Sequence, residues 1–281
     1  LSIELAKELK CEIISADSRQ FYREISIGTA KPTDDELSQV NHHLINNISI
    51  HDEYSAGKFE LDVLNCLEFL FKKSDHAILV GGSGMYIDAV CKGIDLIPSD
   101  NKIRELLNIE FSENGILPLQ EELKEKDPIH FSEMDNKNPQ RLIRALEVCR
   151  TTGKTYSSFR KNKAKKRDFN VIKIGLFADK EIIHNRINKR VDLMMQDGWL
   201  NEVNENLNYF HLNALNTVGY KELFKFMNQE ITLEIAIEEI KKNTRKFAKR
   251  QMTWFKKDEE IKWFNISETE KVLKSIKSQF N

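Results

Sequence analysis

Hydrophobic and polar positions follow two rhythms along this chain. At the start, LSIELAKELK sets Leu1, Leu5 and Leu9 on one helical face, with charged residues between them. A short apolar run, Ile13-Ile14, then stops at the polar cluster Ser15-Ala16-Asp17-Ser18-Arg19-Gln20. This predicts a buried strand ending near Ala16 that delivers a carboxylate, a hydroxyl, a guanidinium and an amide at its carboxyl end. After a loop punctuated by Gly28 and Pro32, residues 77–80 predict a second strand, 81–84 a tight glycine turn, and Met85 onward a helix. The apolar run at 171–178 predicts a further strand, followed by a long helix to about Met195. Strand, glycine turn and helix in this order are the grammar of a parallel α/β sheet.

Between these blocks the rhythm changes. Residues 101 to about 160 carry charged helical stretches and no strand pattern. In NPQRLIRALEVCR, Asn138 suits a cap, Pro139 the first helical turn, and Leu142, Leu146 and Cys149 an apolar stripe. The expected architecture is therefore an α/β core, residues 1–99 and 168–281, interrupted by a helical insertion at 100–167.

Composition narrows the function classes. The chain has 281 residues with 43 Lys or Arg against 44 Asp or Glu, a formal charge of -1, so it is not basic overall and any cationic surface must be local. Its four cysteines, Cys11, Cys66, Cys91 and Cys149, form no C-x-x-C pair and no zinc spacing, which fits reduced thiols in a cytoplasmic protein. No apolar run reaches the roughly 18 to 20 residues of a membrane span, and no signal peptide is visible.

Several motifs invite chemistry and most have a simpler account. Gly153-Lys154-Thr155 mimics the end of a phosphate-binding loop, but position 148 is Val and the lead-in is a helix. His42-His43 would point to different faces of any regular element, which favours a structural role over metal binding. The glycine turn at 81–84 is ambiguous, because a required positive φ explains such glycines as readily as a ligand does. KKNTRKFAKRQMTWFKK, 241–257, is more informative, with eight Lys or Arg and no acid. At about 100° per residue its basic positions fall within half the helix circumference, leaving Ile240, Phe247, Trp254 and Phe255 to pack on the core. A single-sign ridge suits phosphates, most simply a polynucleotide backbone. A second basic cluster, Arg160, Lys161, Lys163, Lys165, Lys166 and Arg167, flanks the insertion.

Taken together, EIISADSRQFYREISIGTAKPT, HHLI, LVGGSGMYI, NPQRLIRALEV, TVGYKEL and KRQMTWF resemble the tRNA dimethylallyltransferase family, also called tRNA isopentenyltransferases. The resemblance implies a P-loop NTPase-like parallel sheet flanked by helices, with a helical tRNA-binding insertion. It implies transfer of a dimethylallyl group from dimethylallyl diphosphate, with Mg2+, to N6 of the adenosine 3′ of the anticodon. It makes Asp17 the catalytic carboxylate and Ser18, Arg19 and Gln20 tRNA contacts. Ser83 stands where most members have threonine, and keeps the hydroxyl. Further tRNA contacts carried over are Arg104; Gln140, Arg141, Leu142, Ile143 and Arg144; Asn216, Tyr220 and Lys221; and Lys249, Arg250, Gln251, Trp254 and Lys256. The partners implied are tRNA and dimethylallyl diphosphate, with a monomeric enzyme and no membrane. The family's G-x-x-x-x-G-K-[ST] loop is expected just upstream of Leu1. Residues 1–281 thus hold the RNA-facing half of the site, and no diphosphate ligands are assigned. An adenylate isopentenyltransferase or P-loop kinase acting on free nucleotides, and a non-catalytic RNA-binding fragment, are the alternatives.

Overall fold

The computed structural model describes residues 1–161 and 164–279. The chain divides into two compact units, Leu1–Cys91 with Arg167–Asn281, and Lys92–Lys166. Lys163 of the second basic cluster lies outside the described residues.

The first unit is built on parallel strands. β1 (Ile13–Ser15) lies between β2 (His42–His43) and β3 (Ile78–Val80), with Ile14 opposite His43 on one side and Leu79 on the other. Ile13 and Ile14 are fully buried, which is why this strand is a continuous apolar run rather than an alternating one. A separate parallel pair joins β4 (Ile174–Phe177) to β5 (Lys262–Asn265). His42-His43 is structural: His42 Nδ1 meets the Val40 carbonyl at 2.8 Å, and His43 Nε2 meets Glu12 at 2.6 Å. The helix Ala56–Leu70, capped by the Ser55 hydroxyl, buries Phe59, Val63, Leu67 and Leu70 at helical spacing. Phe59 and Phe21 meet Tyr86 edge-on or tilted, at 5.2 and 5.7 Å between ring centroids.

The second unit is helical throughout its described residues that have regular structure. Its main helices are Asn101–Asn114, Leu117–Lys126 and Pro139–Thr152, packed around Leu107, Leu119, Leu123, Leu142, Ile143 and Leu146. Asn138 caps the last helix by accepting from the amides of Gln140 and Arg141. Gly153, at φ 68°, ends it in the left-handed conformation that favours glycine, and this accounts for the Gly-Lys-Thr triplet. At its centre the carboxylate of Glu147, fully buried, takes Arg104 at 2.9 Å, Arg144 at 3.0 Å and the Asp100 amide at 2.9 Å.

The second basic cluster is not one surface. Arg167 is buried in the first unit, where it pairs with Glu60 at 2.7 Å and donates to the carbonyls of Ala89 and Val90.

Candidate active site

The carboxyl end of β1 is where the chemistry gathers. Asp17 leaves the strand and accepts the Arg19 amide at 2.8 Å, a tight local turn that fixes its carboxylate. Burial pushes this carboxyl above the ordinary aspartate range, against the pull of the Arg19 and Gln20 amides and the charges of Arg19 and Arg190. A raised carboxylate is a better proton acceptor.

The neighbours of Asp17 are pinned by partners from distant segments. The Ser18 amide donates to the Ser83 hydroxyl at 2.9 Å, and the Ala16 carbonyl accepts the Ser83 amide at 3.3 Å. Arg19 donates to the carbonyls of Asn213 and Ala214, tying the strand end to the segment that carries Asn216. Gln20 accepts from the Ser15 hydroxyl and donates to the carbonyls of Thr29 and Ala30. All four of these predicted RNA contacts, Ser18, Arg19, Gln20 and Ser83, therefore also shape the turn that presents Asp17.

The helix Leu233–Phe255 crosses the glycine turn. Gln251 donates to the Gly82 carbonyl at 2.9 Å and Trp254 donates through Nε1 to Asp88 at 2.9 Å. A Cβ at Gly82 would overlap the Gln251 amide, and one at Gly84 the Trp254 indole. Neither glycine has a positive φ; the rigid indole of this helix is what requires Gly84, whereas the Gln251 end at Gly82 can shift.

The loop after the strand end, residues 26–32, and the helix Lys180–Gln196 line a cavity of about 560 Å³. Lys31, Arg186, Lys189 and Arg190 line it, with Leu193 and Met194 among its apolar residues. Lys31 spends its ammonium on the Tyr22 carbonyl, the Ser26 hydroxyl and Asn46, so it contributes charge and pins the loop rather than reaching into the space. Burial pushes Lys31 down to about 8, with Glu202 and Glu24 pulling the other way. Glu202 in turn holds the same loop, accepting the amides of Ser26, Ile27 and Gly28 at 2.6, 2.8 and 3.1 Å and the Tyr220 hydroxyl at 2.5 Å. The sequence reading missed all of these. The signal available was Arg186, Lys189 and Arg190 at i, i+3 and i+4 of one helix.

The structure brings together Asp17, Ser18, Arg19, Gln20, Ser83, Gln251 and Trp254, with Asn216, Lys221, Lys249, Arg250 and Lys256 exposed in the same unit. Others need correction. Tyr220 is fully buried, its hydroxyl committed to Glu202, and it supports the loop rather than offering a surface. Leu142 and Ile143 are core residues of the helical unit, because a contiguous motif on a helix alternates between faces; only Gln140 and Arg141 beside them are exposed. Arg104 and Arg144 neutralise the buried Glu147. On the cationic helix, Lys241 pairs with Asp192 at 2.8 Å and Arg245 bonds Asn188 at 2.7 Å, whereas Phe247 and Trp254, expected in the core, are 43% and 47% exposed. Among the described residues no three His, Cys, Asp or Glu side chains converge on a metal position.

Comparison with known proteins identifies the family. The family model for IPP transferases matches residues 20–258. A tRNA dimethylallyltransferase of Christiangramia forsetii is 53% identical over 283 residues, covering 100% of this chain and 94% of its own length. Among solved structures, the tRNA isopentenylpyrophosphate transferase of Bacillus halodurans superposes with TM-score 0.71 at 32% identity, over 99% of this chain and 90% of that one. A eukaryotic dimethylallyltransferase acting on tRNA superposes with TM-score 0.74 at 25% identity, over 94% and 70%. The α/β unit is thus of the P-loop NTPase-like type, and the chain belongs to the IPP transferase family of tRNA dimethylallyltransferases.

Proposed function

We propose that this chain transfers a dimethylallyl group from dimethylallyl diphosphate to N6 of the adenosine 3′-adjacent to the anticodon of tRNA. The observation that carries the reading is Asp17, a partly buried carboxylate raised by desolvation at a parallel strand's carboxyl end. It feels the charge of Arg190 from the cationic cavity and sits next to Ser18, itself bonded to the glycine turn that the cationic helix contacts. An adenine amine is a weak nucleophile because its lone pair is delocalised into the ring. Asp17 accepts a hydrogen bond from that amine as N6 bonds to the allylic carbon, and takes the proton as the carbon–oxygen bond breaks. The electron pair of that bond leaves with diphosphate. Arg186, Lys189 and Arg190 at the cavity stabilise the charge that develops there, and Leu193 and Met194 suit the prenyl tail. The described residues form no metal cage of their own; Mg2+ would arrive on the diphosphate oxygens, and no step here depends on it.

The base must leave its stack to reach Asp17. Lys249, Arg250, Lys256 and Lys221 hold phosphates meanwhile, and Gln140 and Arg141 of the helical unit add contacts to the anticodon stem-loop. The chain works as a monomer in the cytoplasm, and no described helix is long and apolar enough to cross a membrane. The test is product analysis with an anticodon stem-loop and with AMP as acceptors for the full-length protein. Modification of the stem-loop alone supports the reading, whereas turnover of AMP alone would replace it with an enzyme of free nucleotides.

A further inference from the structure

On the helix Leu233–Phe255, Ala236 and Ile240 are buried in the core of the α/β unit. Phe247 and Trp254 lie within about 40° of the same azimuth, at 100° per residue. The stripe that anchors the helix therefore continues past the end of the core and becomes a surface, with Phe247 43% and Trp254 47% exposed. Gln251, between them on this stripe, is bonded to the Gly82 carbonyl, and the Trp254 indole is fastened at one edge to Asp88 and Gly84. Trp254 thus stands beside the turn whose Ser83 hydroxyl holds the Ser18 amide next to Asp17, and Phe247 continues the same stripe two turns back along the helix.

Single exposed apolar side chains are ordinary. This pair differs in its surroundings. The Arg250 guanidinium lies 5.7 Å from the Phe247 ring centroid. Among the described residues no carboxylate pairs with Lys246, Lys249, Arg250, Lys256 or Lys257. An aromatic surface flanked along the helix by Lys246, Lys249, Arg250 and Lys256 complements a strand with phosphates outside and π-faces within. A lipid or protein partner explains the apolar rings but not a stripe that runs into the catalytic turn at Trp254.

We infer that Phe247 and Trp254 form a stacking platform for loop nucleobases next to the one that reacts. The inference rests on the tRNA reading above. Extruding the target base removes a stacking partner from its neighbours, and an aromatic ring at the site of extrusion replaces it. Phe247, which neither the motif blocks nor the helical wheel marked as a contact, is the decisive member, because Trp254 also packs on Gly84.

The test is binding of an anticodon stem-loop to the full-length protein across a salt series, by fluorescence anisotropy. Phe247→Ala is expected to weaken binding about tenfold at every salt concentration without changing the slope of log K against log salt, because stacking releases no counterions. Phe247→Tyr restores binding and Phe247→Leu does not, which separates stacking from apolar packing. Lys249→Ala lowers the slope instead, by about one. An unchanged urea midpoint for Phe247→Ala excludes misfolding. The inference is overturned if Phe247→Ala binds like the parent, if Phe247→Leu does as well as Phe247→Tyr, or if the patch takes up anionic vesicles in place of RNA. Failure of the parent itself to bind the stem-loop would instead remove the tRNA reading.

Discussion

Truncating Glu202 to alanine removes four hydrogen bonds at once, from the amides of Ser26, Ile27 and Gly28 and from the Tyr220 hydroxyl. The donors differ in what happens next. Tyr220 is fully buried, so its orphaned hydroxyl carries the whole desolvation penalty, about 1–3 kcal/mol. The loop amides are only partly buried, so water recovers much of their loss and the three together add about 2 kcal/mol. The expected destabilisation is about 3–5 kcal/mol. Tyr220→Phe removes one bond without stranding the carboxylate, and costs about 1 kcal/mol. The Glu202→Ala/Tyr220→Phe double mutant then shows coupling of about 1–2 kcal/mol. Urea unfolding followed by tryptophan fluorescence is the assay, since Trp199, Trp254 and Trp263 all belong to the α/β unit and Trp199 lies against Gly28. The damage reaches the site through the Thr29 and Ala30 carbonyls, which hold the Gln20 amide, so transfer slows as well. A Glu202→Ala loss under about 1 kcal/mol with unchanged transfer would refute this account of the loop.

Acid should slow transfer with a limb above the ordinary aspartate range, because Asp17 is raised and its carboxylate form is lost as pH falls through that value. At the other end, the KM for the diphosphate should rise as pH climbs through about 8, where Lys31 loses its charge; a KM flat to pH 10 would contradict this. The same raised Asp17 means that its charged form weighs against folding and that stability falls as pH rises through its folded value. Asp17→Asn should therefore unfold at a higher temperature than the parent at neutral pH, in a thermal melt. Glu147→Ala removes the carboxylate from Arg104 and Arg144, which solvent and the Ile97 and Pro98 carbonyls partly compensate, and should cost about 1–3 kcal/mol in a far-ultraviolet circular dichroism melt, whatever its effect on chemistry. Gly84→Ala drives a methyl into the rigid Trp254 indole, displaces the helix end that carries it, and should weaken stem-loop binding about tenfold, as measured by anisotropy.

What the sequence revealed and concealed follows from the range of each interaction. A buried strand with a polar end is a local pattern, so β1 and the position of Asp17 could be read directly, as could the capped helix Pro139–Thr152. The helical wheel gave the correct azimuths for the cationic helix but says nothing of where the core stops along the axis. Phe247 and Trp254 were assigned inward for that reason. Motif blocks run along the chain while helix faces alternate, which is how Leu142 and Ile143 came to be grouped with Gln140 and Arg141. Glu202 lies about 175 residues from the amides it binds, and Lys31 comes from a different segment than Arg190. No local pattern announces either pairing. The glycine turn cannot be decided from the sequence because the reason for Gly84 is the Trp254 indole, some 170 residues further along the chain.

The central claim is that Asp17 accepts the proton from the adenosine amine while the cationic helix only holds the RNA. Single-turnover prenylation of a saturating anticodon stem-loop, compared between the full-length protein and its Asp17→Asn variant, tests it most directly. The prediction is a rate lower by about 10²- to 10⁴-fold with stem-loop affinity unchanged. Equal rates, or a loss of rate wholly explained by lost RNA binding, would contradict it.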